Sequence, residues 1–486
     1  MGEELGEKLL VNRKEEGEEK LGRKIWVESK KLWIVAGPAI FTRFSMFGVA
    51  VISQAFIGHI GSTELGGFAL VTTVIFRFCT GIQLGMASAL ETLCGQAYGA
   101  KQYHMLGIYL QRSWIVLFSV TIILLPLFIF TAPILRLLGQ ADDISAMAGT
   151  IALMLIPIIF TFIFSFTLQM YLQAQSKNII IAYLAVIQLA IHIFLSWLMV
   201  VKLRWGVVGI MVSIFLSDCI PIVGMVGYIC FGGCPDTWQG LSIEALKNLW
   251  PIIKLSLSSG AMLCLELWYN TILVLLTGHM KNAEIAIDAL SICLNINGWE
   301  MMIAIGFLAA ASVRVSNELG RANAKGAKFS VVVTVATSLI IGLALFIVFM
   351  LFRGKISYMF TNNPEVSAAV GDLSPLLSLS ILLNSIQPVL SGVAVGAGWQ
   401  SVVAYVNLAC YYLIGIPLGV VLGYAIGFQV KGIWIGMLLG TVAQTLVLSY
   451  LTWRTDWDDQ VAKAATRLNK WSVPSTEETN SSLSTA

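Results

Sequence analysis

The most restrictive feature of this chain is a series of twelve apolar segments, each at least 21 residues long. A helix that spans a bilayer needs about 20 predominantly apolar residues, so each segment is long enough to cross. Backbone polar groups in lipid must be satisfied within the segment itself, which favours helices. The sequence therefore predicts an all-α polytopic membrane protein with twelve transmembrane helices. The predicted segments are Trp33–Gly58, Gly67–Leu90, Trp114–Leu135, Met147–Leu172, Ile179–Val201, Val207–Phe231, Leu255–Thr277, Ile285–Ala311, Phe329–Phe352, Ser374–Val395, Val402–Ile426 and Ile433–Trp453.

The composition agrees with this class and argues against several others. Hydrophobic residues make up 57% of the 486 residues and charged residues 12%, against roughly 25% charged in ordinary globular proteins. The net charge is +3 and no basic patch is interleaved with aromatic residues, so we expect no nucleic-acid partner. The eight cysteines are scattered, and the Cys230–Cys234 spacing has no partner cluster. We therefore expect no metal site, disulfide framework or cofactor.

The positive charges predict the orientation of the helices. With both termini on one side, 21 of the 30 Lys and Arg residues lie on that side and seven lie in the opposite loops. Cytoplasmic loops carry the excess of Lys and Arg, so both termini are predicted to be cytoplasmic. We expect the polar tails to be largely disordered. The predicted units are an N-terminal tail, an N-lobe of six helices, a linker, a C-lobe of six helices and a C-terminal tail, at 1–31, 32–232, 233–250, 251–453 and 454–486.

The two halves of the chain are related in sequence. GHIGSTE at Gly58–Glu64 recurs as GHMKNAE at Gly278–Glu284, an offset of 220 residues, and the loop at Gly99 matches the loop at Gly320, an offset of 221. This steady offset indicates duplication of a six-helix unit. Because six is even, both copies insert in the same orientation and are related by an axis along the membrane normal. Transporters are commonly built in this way, with the substrate site near mid-membrane.

Three carboxylates lie inside the apolar segments of the second half. Glu266 is the single ionisable residue of Leu255–Thr277, with eleven residues on either side, while Asp288 and Glu300 lie in the next segment. A charge at this depth costs about 2.5–3.5 kcal/mol on insertion scales, so such residues are functional candidates by default. Desolvation disfavours a charged carboxylate and so favours proton binding. We predict that Glu266 and Asp288 couple transport to protons, as one titrating pair if they lie close together.

The depths of these two acids differ. If Asn282 caps the eighth helix, Asp288 lies about 9 Å from its start, whereas Glu266 lies about 18 Å from Gly278, at 1.5 Å per residue. Direct contact between the two carboxylates therefore requires a bent helix.

Amide and aromatic side chains are candidates for lining a substrate cavity beside the acids. Asn270 lies one helical turn from Glu266, and Asn295 and Trp299 lie on roughly the face of Asp288. Buried amides need hydrogen-bond partners, and a ligand can serve as one. Pro388 should interrupt the backbone hydrogen bonds of its helix beside two further amides. The predicted substrate-binding residues are Asn270, Asn295, Tyr269, Trp299, Asn384, Gln387 and Gln54.

Structural roles are alternatives for most of these polar groups. Glu266 could be a structural acid bonded to amides of its lobe, and Asp288 near a helix start is favoured by the helix dipole. Arg314 and Glu318 lie one turn apart and are expected to form an ion pair. Gln188 and His192 could line a cavity of the N-lobe, or His192 could be a satisfied core histidine. Structural roles are also open for Glu300, Asp218 and Arg77.

The loop motifs resemble those of a known family. ASALETLCGQAYGAKQYHMLGIYLQRSW at Ala87–Trp114 and AASVRVSNELGRANAKGAK at Ala310–Lys328 resemble the signature loops of the multidrug and toxic compound extrusion family, in particular its plant branch. VISQAFIGHIG at Val51–Gly61 is similar to the subgroup that includes plant flavonoid and anthocyanin carriers of the vacuole. The resemblance extends from Trp33 to Trp453.

This resemblance implies a fold and a type of transport. The fold is a pair of six-helix lobes forming a V that opens alternately to either side, and the activity is antiport of an organic solute against protons or, in some bacterial members, sodium. Bacterial and archaeal relatives carry an acidic residue in helix one, whereas Trp33–Gly58 contains Arg43 and Gln54 but neither Asp nor Glu. Eukaryotic members have their acidic residues in helices seven and eight, where Glu266 and Asp288 stand here.

The predicted function is proton-coupled antiport, by a monomer, of organic solutes such as flavonoid glycosides, alkaloids or other xenobiotics from the cytosol into the vacuole. A proton from the lumen binds the acid pair and displaces the solute, and the reoriented carrier releases the proton to the cytosol. The alternatives are efflux of toxic organic cations across the plasma membrane, a passive channel, and a membrane-embedded enzyme such as a lipid or prenyl transferase. The enzyme requires a paired Asp-rich motif or a nucleophile with its base, and the sequence shows neither.

Overall fold

The structure, a computed structural model, describes the backbone of residues 2–277 and 283–471. Side chains are described from Leu21 onward, except at several positions between residues 270 and 287. The regular secondary structure of these residues is helical throughout. The all-α class predicted from the sequence is confirmed.

Twelve helices within the described ranges are long and apolar enough to cross a membrane, in agreement with the prediction. A further helix, α13, follows them at Trp457–Trp471. The spanning helices are α1 (Gly2–Gly58), α2 (Ser62–Gly99), α3 (Tyr103–Ile129), α4 (Asp142–Ala174), α5 (Asn178–Lys202), α6 (Gly206–Gly233), α7 (Trp250–Thr277), α8 (Ala283–Gly320), α9 (Ala324–Leu351), α10 (Pro364–Ala397), α11 (Gln400–Ala425) and α12 (Gln429–Arg454).

Several helices run well beyond the apolar segments that predict them. α2 continues past Leu90 to Gly99, and α8 continues past Ala311 to Gly320. The extensions are polar in sequence yet buried, because helices of the other lobe cover them: Gln96 and Ser316 have no exposed surface. The motif-rich segments expected to be loops are therefore largely helical.

The tenth spanning helix is broken in its middle, as Pro388 predicts. It consists of Pro364–Asn384 and Gln387–Ala397, with Pro388 in the first turn of the second piece. Proline has no N–H for the carbonyl four residues earlier and its ring clashes with that carbonyl, so the helix cannot continue through Asn384. The break leaves Asn384 and Gln387 at the two new helix ends.

The chain forms the V-shaped pair of six-helix lobes, α1–α6 and α7–α12, that the family resemblance implies. The lobes meet along two seams, in which α1 packs against α8 and α2 packs against α7. The repeat offset relates α1 to α7 and α2 to α8, so these two seams are equivalent under the pseudo-two-fold axis. Because the number of spanning helices is even, α1 enters and α12 leaves the bundle at the same end, called here the terminal face; the other end is the distal face.

Glycines allow the two lobes to approach closely at the terminal face. A Cβ atom on Gly99 would lie 2.2 Å from the carbonyl oxygen of Asn317, and one on Gly320 would lie 2.1 Å from that of Gln96. Hydrogen bonds across the same region join the lobes, since Thr92 Oγ1 donates to the carbonyl of Val395 at 2.6 Å. The lobes are therefore in close contact at the terminal face, which is closed.

The prediction that the N-terminal tail is disordered is wrong for residues 21–31, whose side chains the structure describes. α1 is continuous through residues 21–31, and Glu28 is buried. The carboxylate of Glu28 accepts hydrogen bonds from Arg314 Nε at 2.7 Å and Nη2 at 3.0 Å. Arg314 also donates to Glu318 at 2.7 Å, so the predicted Arg314–Glu318 ion pair is confirmed. The partner that the sequence did not predict, Glu28, ties α1 of one lobe to α8 of the other.

The expected flexibility of the C-terminal tail is also wrong for its first part, because α13 packs against both lobes. Trp457 is buried against the C-lobe side of the terminal face, and Leu468 packs into the core of the N-lobe. Arg467 Nη1 donates to the side-chain oxygen of Gln96 at 2.8 Å. Apolar positions recurring at helical spacing in an otherwise polar tail could have indicated this amphipathic helix.

The close packing of the lobes at the terminal face predicts that a methyl group added at Gly99 destabilises the protein. Gly99→Ala should destabilise this packing by about 1–3 kcal/mol, because the new Cβ meets backbone that cannot rotate away. The melting temperature of the protein in detergent should fall. Gly354→Ala is the control, since a Cβ there meets nothing within 4 Å. Equal melting temperatures for the two variants would contradict the close approach of the lobes.

Candidate functional site

Glu266 lies on α7 and is 8% exposed. Gln387, at the start of the second piece of α10, donates from Nε2 to Glu266 Oε1 at 3.1 Å and to Ser391 Oγ at 3.2 Å. Two residues predicted independently as a proton-coupling acid and a substrate-binding amide thus touch each other. This contact holds a carboxyl group inside the C-lobe.

A second contact of the same kind lies at the other end of the α10 break. Asn384 Nδ2 donates to Glu300 Oε2 at 3.0 Å and to Asn297 Oδ1 at 3.1 Å. Glu300 is 7% exposed. The break therefore presents one amide to each of two buried carboxyl groups, on α7 and on α8. The pairing of Glu300 with a neighbouring helix, an alternative left open by the sequence, is confirmed.

Tyr269, three residues after Glu266 on α7, packs inside the C-lobe. Its ring is 2% exposed and stacks on Tyr411, with ring centroids 4.2 Å apart and an interplanar angle of 11°. Its hydroxyl donates to the carbonyl of Met437 at 3.0 Å. Tyr411 in turn donates to Gln444 Oε1, and Gln444 Nε2 donates to Asn407 Oδ1 at 2.6 Å. This chain of bonded side chains fixes the positions of α7, α11 and α12.

The remaining predicted residues lie in more open positions. Asp288 is exposed near the start of α8, and Asn295 is exposed with its amide donating to the carbonyl of Ser291 at 3.0 Å. Trp299 is 37% exposed and lies in the seam between the lobes, where it stacks on Phe44 of α1 at 5.7 Å. Gln54 is exposed on α1. The side chain of Asn270 lies outside the described residues.

The structure does not bring Asp288 together with Glu266 in a described contact. α7 packs mainly against α2 and α11, whereas α8 packs against α1, α2 and α10. Asp288 follows the start of α8 by five residues, about 7.5 Å along the axis, while Glu266 precedes the end of α7 by eleven, about 16 Å. The two carboxyl groups thus differ in depth, and Asp288 lies nearer the distal face.

The N-lobe contains a buried acid that the sequence reading missed. Glu91 on α2 is 1% exposed and accepts a hydrogen bond from Gln173 Nε2 at 3.0 Å. The guanidinium of Arg43 lies near enough to interact electrostatically with this carboxylate. Arg43 and Gln173 also line a small cavity of about 10 Å³, together with Thr42, Gln169 and Asn178. Glu91 lies one residue past the predicted end of its segment, within the loop motif, and was therefore not counted as a membrane acid.

Two other polar groups of the N-lobe are satisfied within its core. His192 has no exposed surface and shares hydrogen bonds with Ser53 at 2.9 Å and Ser213 at 3.2 Å. Gln188 Nε2 donates to Asp218 Oδ1 at 2.6 Å. The structural alternative for these residues, a satisfied core histidine and a paired acid, is confirmed.

Twelve spanning helices in two lobes, closed at one face and holding paired carboxyl and amide groups inside each lobe, define a membrane transporter. The comparisons identify its family. The profile of the MatE family matches residues 38–198 and 259–421, and the two matches begin 221 residues apart, as do the halves of the repeat. The chain belongs to the MatE family of multidrug and toxic compound extrusion transporters, and it is not an enzyme.

Relatives are similar over nearly the whole chain. Protein DETOXIFICATION 21 of Arabidopsis thaliana is 62% identical over 99% of this chain and 98% of its own length. Protein DETOXIFICATION 20 of the same plant is 60% identical over the same shares. The crystal structure of the eukaryotic MATE transporter AtDTX14 superimposes with a TM-score of 0.87 at 34% identity, covering 91% of this chain and 99% of that one. Transporters of this family move small organic solutes across membranes.

The contact between Gln387 and Glu266 predicts a non-additive pair of substitutions. Gln387→Leu removes the donor from a buried carboxylate and should cost about 1–3 kcal/mol, whereas replacing both partners by apolar groups can be nearly neutral. The melting temperature in detergent should therefore fall in Gln387→Leu and recover in part in Glu266→Leu/Gln387→Leu. If the melting temperature of the double variant fell by the sum of the decreases in Glu266→Leu and Gln387→Leu, a direct energetic coupling of the two side chains would be contradicted.

Proposed function

We propose that the protein is a proton-coupled antiporter that moves organic solutes from the cytosol into the vacuole. The observation that carries this proposal is Glu266, a carboxyl group 8% exposed at the middle of a spanning helix and bonded to an uncharged amide. An amide partner accommodates both protonation states of the carboxyl group, which an exchanging proton site requires.

Gln387 can respond to the protonation state of Glu266. A charged carboxylate only accepts hydrogen bonds, and Gln387 meets it with Nε2. A protonated carboxyl group gains an O–H donor, which the side-chain oxygen of Gln387 accepts once the amide rotates. Because Gln387 lies at the break of α10, this rotation acts where the helix lacks continuous backbone bonds. The break of α10 thereby couples protonation of Glu266 to the conformation of the C-lobe.

Solute and proton compete in this proposal. A ligand shifts a two-state carrier only through its different affinities for the two states. A solute bound beside charged Glu266 favours one facing state, and protonation from the lumen removes that attraction. Asp288, exposed nearer the distal face, is placed to receive protons first. Glu300 is a second buried carboxyl group that the same solute would meet.

We propose that the solute binds between the lobes, beside Trp299. Trp299, exposed in the seam beside Phe44, offers an aromatic surface for a flat ring system. Asn295, Gln54 and Asn384 supply donors and acceptors for hydroxyl groups, with Asn270 placed in the same role by helical spacing. A flavonoid glycoside combines these features, and the VISQAFIGHIG motif supports this choice.

The terminal face is proposed to be cytosolic, because it carries most of the Lys and Arg residues. In the proposed cycle the carrier takes up protons when it opens toward the lumen. The second candidate, efflux of toxic organic cations across the plasma membrane, rests on the same orientation and differs in the compartment. A fluorescent tag on the C-terminus, viewed in plant cells, separates the two: the proposal requires vacuolar rather than plasma-membrane fluorescence.

Replacing Glu266 by Gln should abolish proton-driven transport while leaving the protein folded. The side chains have nearly the same shape, but Gln cannot bind or release a proton at neutral pH. The measurement is uptake of quercetin 3-glucoside and of ethidium into proteoliposomes with an acidic interior, with and without the pH gradient. Wild-type uptake should be lost when the gradient collapses, and Glu266→Gln should show the collapsed level throughout.

The matched control is Asp372→Asn on α10, an exposed acid whose partner Lys431 is also exposed. This substitution replaces a carboxyl group by an amide in the C-lobe, as Glu266→Gln does, but leaves the buried site unchanged. The variant should therefore transport the solutes as the wild type does. Gradient-driven uptake by Glu266→Gln at the level of Asp372→Asn would remove Glu266 from the mechanism. Accumulation by the wild type that survives collapse of the gradient would overturn proton coupling itself.

A further inference from the structure

The terminal face carries a basic groove that the transport mechanism does not use. Its volume is about 410 Å³, and it lies between the first turns of α1 that have described side chains and the start of α9. The cations that line it, Arg23, Lys24 and Lys31, are exposed. Val27 and Phe329 form apolar walls, and Glu28 lies at the base.

The groove is positive because its carboxylate is already neutralised. Both oxygens of Glu28 accept hydrogen bonds from Arg314, at 2.7 and 3.0 Å. Lys31 Nζ lies 3.7 Å from Glu28 Oε2, too far for a strong bond. Lys31 therefore remains available to a ligand, together with Arg23 and Lys24. Lys325, exposed one turn before Phe329 on α9, adds a further positive charge at the same end.

The exposed tryptophans of α1 indicate the depth of the groove relative to a bilayer. Its α1 residues span positions 23–31, about 12 Å along the helix axis. Trp26 is 73% exposed and Trp33 is 42% exposed, seven residues apart and so on nearly the same side of α1. Exposed tryptophans on a spanning helix mark the interface between hydrocarbon and water. The groove is thus inferred to open at the depth at which a phospholipid presents its phosphate.

We propose that this groove binds the phosphate-bearing headgroup of an anionic phospholipid. Arg can hold phosphate oxygens through two parallel N–H donors, and Lys adds point charges. Basic pockets between transmembrane helices at the membrane surface are suited to such headgroups. The apolar walls of Val27 and Phe329 favour a lipid over a free phosphate ion, since they contact the glycerol and upper acyl carbons.

The position of the groove gives the lipid a role in the transport cycle. α1 belongs to the N-lobe and α9 to the C-lobe, so a lipid that contacts the cations of α1 and Phe329 of α9 bridges the lobes at the terminal face. Glu28 and Arg314 make the neighbouring ion pair across the same seam. A bound headgroup therefore stabilises the state in which the terminal face is closed. This inference concerns the closed seam and does not depend on the identity of the solute or on proton coupling.

The test measures lipid binding by the full-length protein in detergent. Micelles contain phosphatidylinositol 4-phosphate, or phosphatidylcholine as the neutral lipid, and native mass spectrometry and melting temperature report binding. The wild type should retain the anionic lipid and melt at a higher temperature with it than with phosphatidylcholine. The triple variant Arg23→Gln/Lys24→Gln/Lys31→Gln should bind roughly a hundredfold more weakly, because each cation near a membrane surface contributes a factor of about five.

The matched control is Lys254→Gln/Lys463→Gln/Lys470→Gln, which removes three exposed cations from the same face outside the groove. It should bind as the wild type does, and so should the charge-conserving triple Arg23→Lys/Lys24→Arg/Lys31→Arg, which shows that these positions tolerate change. Equal weakening in the two Gln triples would overturn the groove in favour of diffuse surface charge. Water-soluble inositol trisphosphate that binds as tightly as the lipid would overturn the lipid assignment and leave a site for soluble phosphates.

Discussion

A polar group inside the hydrocarbon must find its partner within the protein, because no water is there to supply one. The break of α10 is the place where this constraint is met for the candidate site. Its two helix ends direct Asn384 to Glu300 and Gln387 to Glu266, so that each buried carboxyl group accepts a hydrogen bond from an amide. An amide can meet either protonation state of the acid, because it carries both a donor and an acceptor.

Buried polar groups in the seams between the lobes also need partners within the protein, but there the partners are oppositely charged. At the terminal face Glu28 meets Arg314, and Gly99 and Gly320 let the backbones touch. These contacts are charged and tight, and they hold the lobes in one arrangement. The C-lobe site presents amide donors to its carboxyl groups and lies at the break of α10. A carrier needs both kinds of contact: a rigid seam that defines a facing state, and a site whose protonation changes the balance between states.

The spacing of apolar segments was sufficient to predict the twelve spanning helices and their class, and Pro388 was sufficient to predict the break in α10. The motif resemblance gave the family. Glu91 and the Glu28 partner of Arg314 could not be found from local pattern, because their burial depends on covering by distant parts of the chain. A polar sequence becomes interior only when distant residues surround it. The sequence left direct contact between Asp288 and Glu266 dependent on a bent helix, because local spacing does not show that α7 packs mainly against α2 and α11 while α8 packs against α1, α2 and α10.

The central claim is that Glu266 exchanges a proton for solute, and proton release on solute binding tests it directly. Purified protein in weakly buffered detergent is mixed with quercetin 3-glucoside, an uncharged solute, and the pH change is followed. By linkage, binding that favours the charged carboxylate should release up to about one proton per solute bound in the wild type and none in Glu266→Gln. The same release from Glu266→Gln, with solute binding retained, would contradict the account.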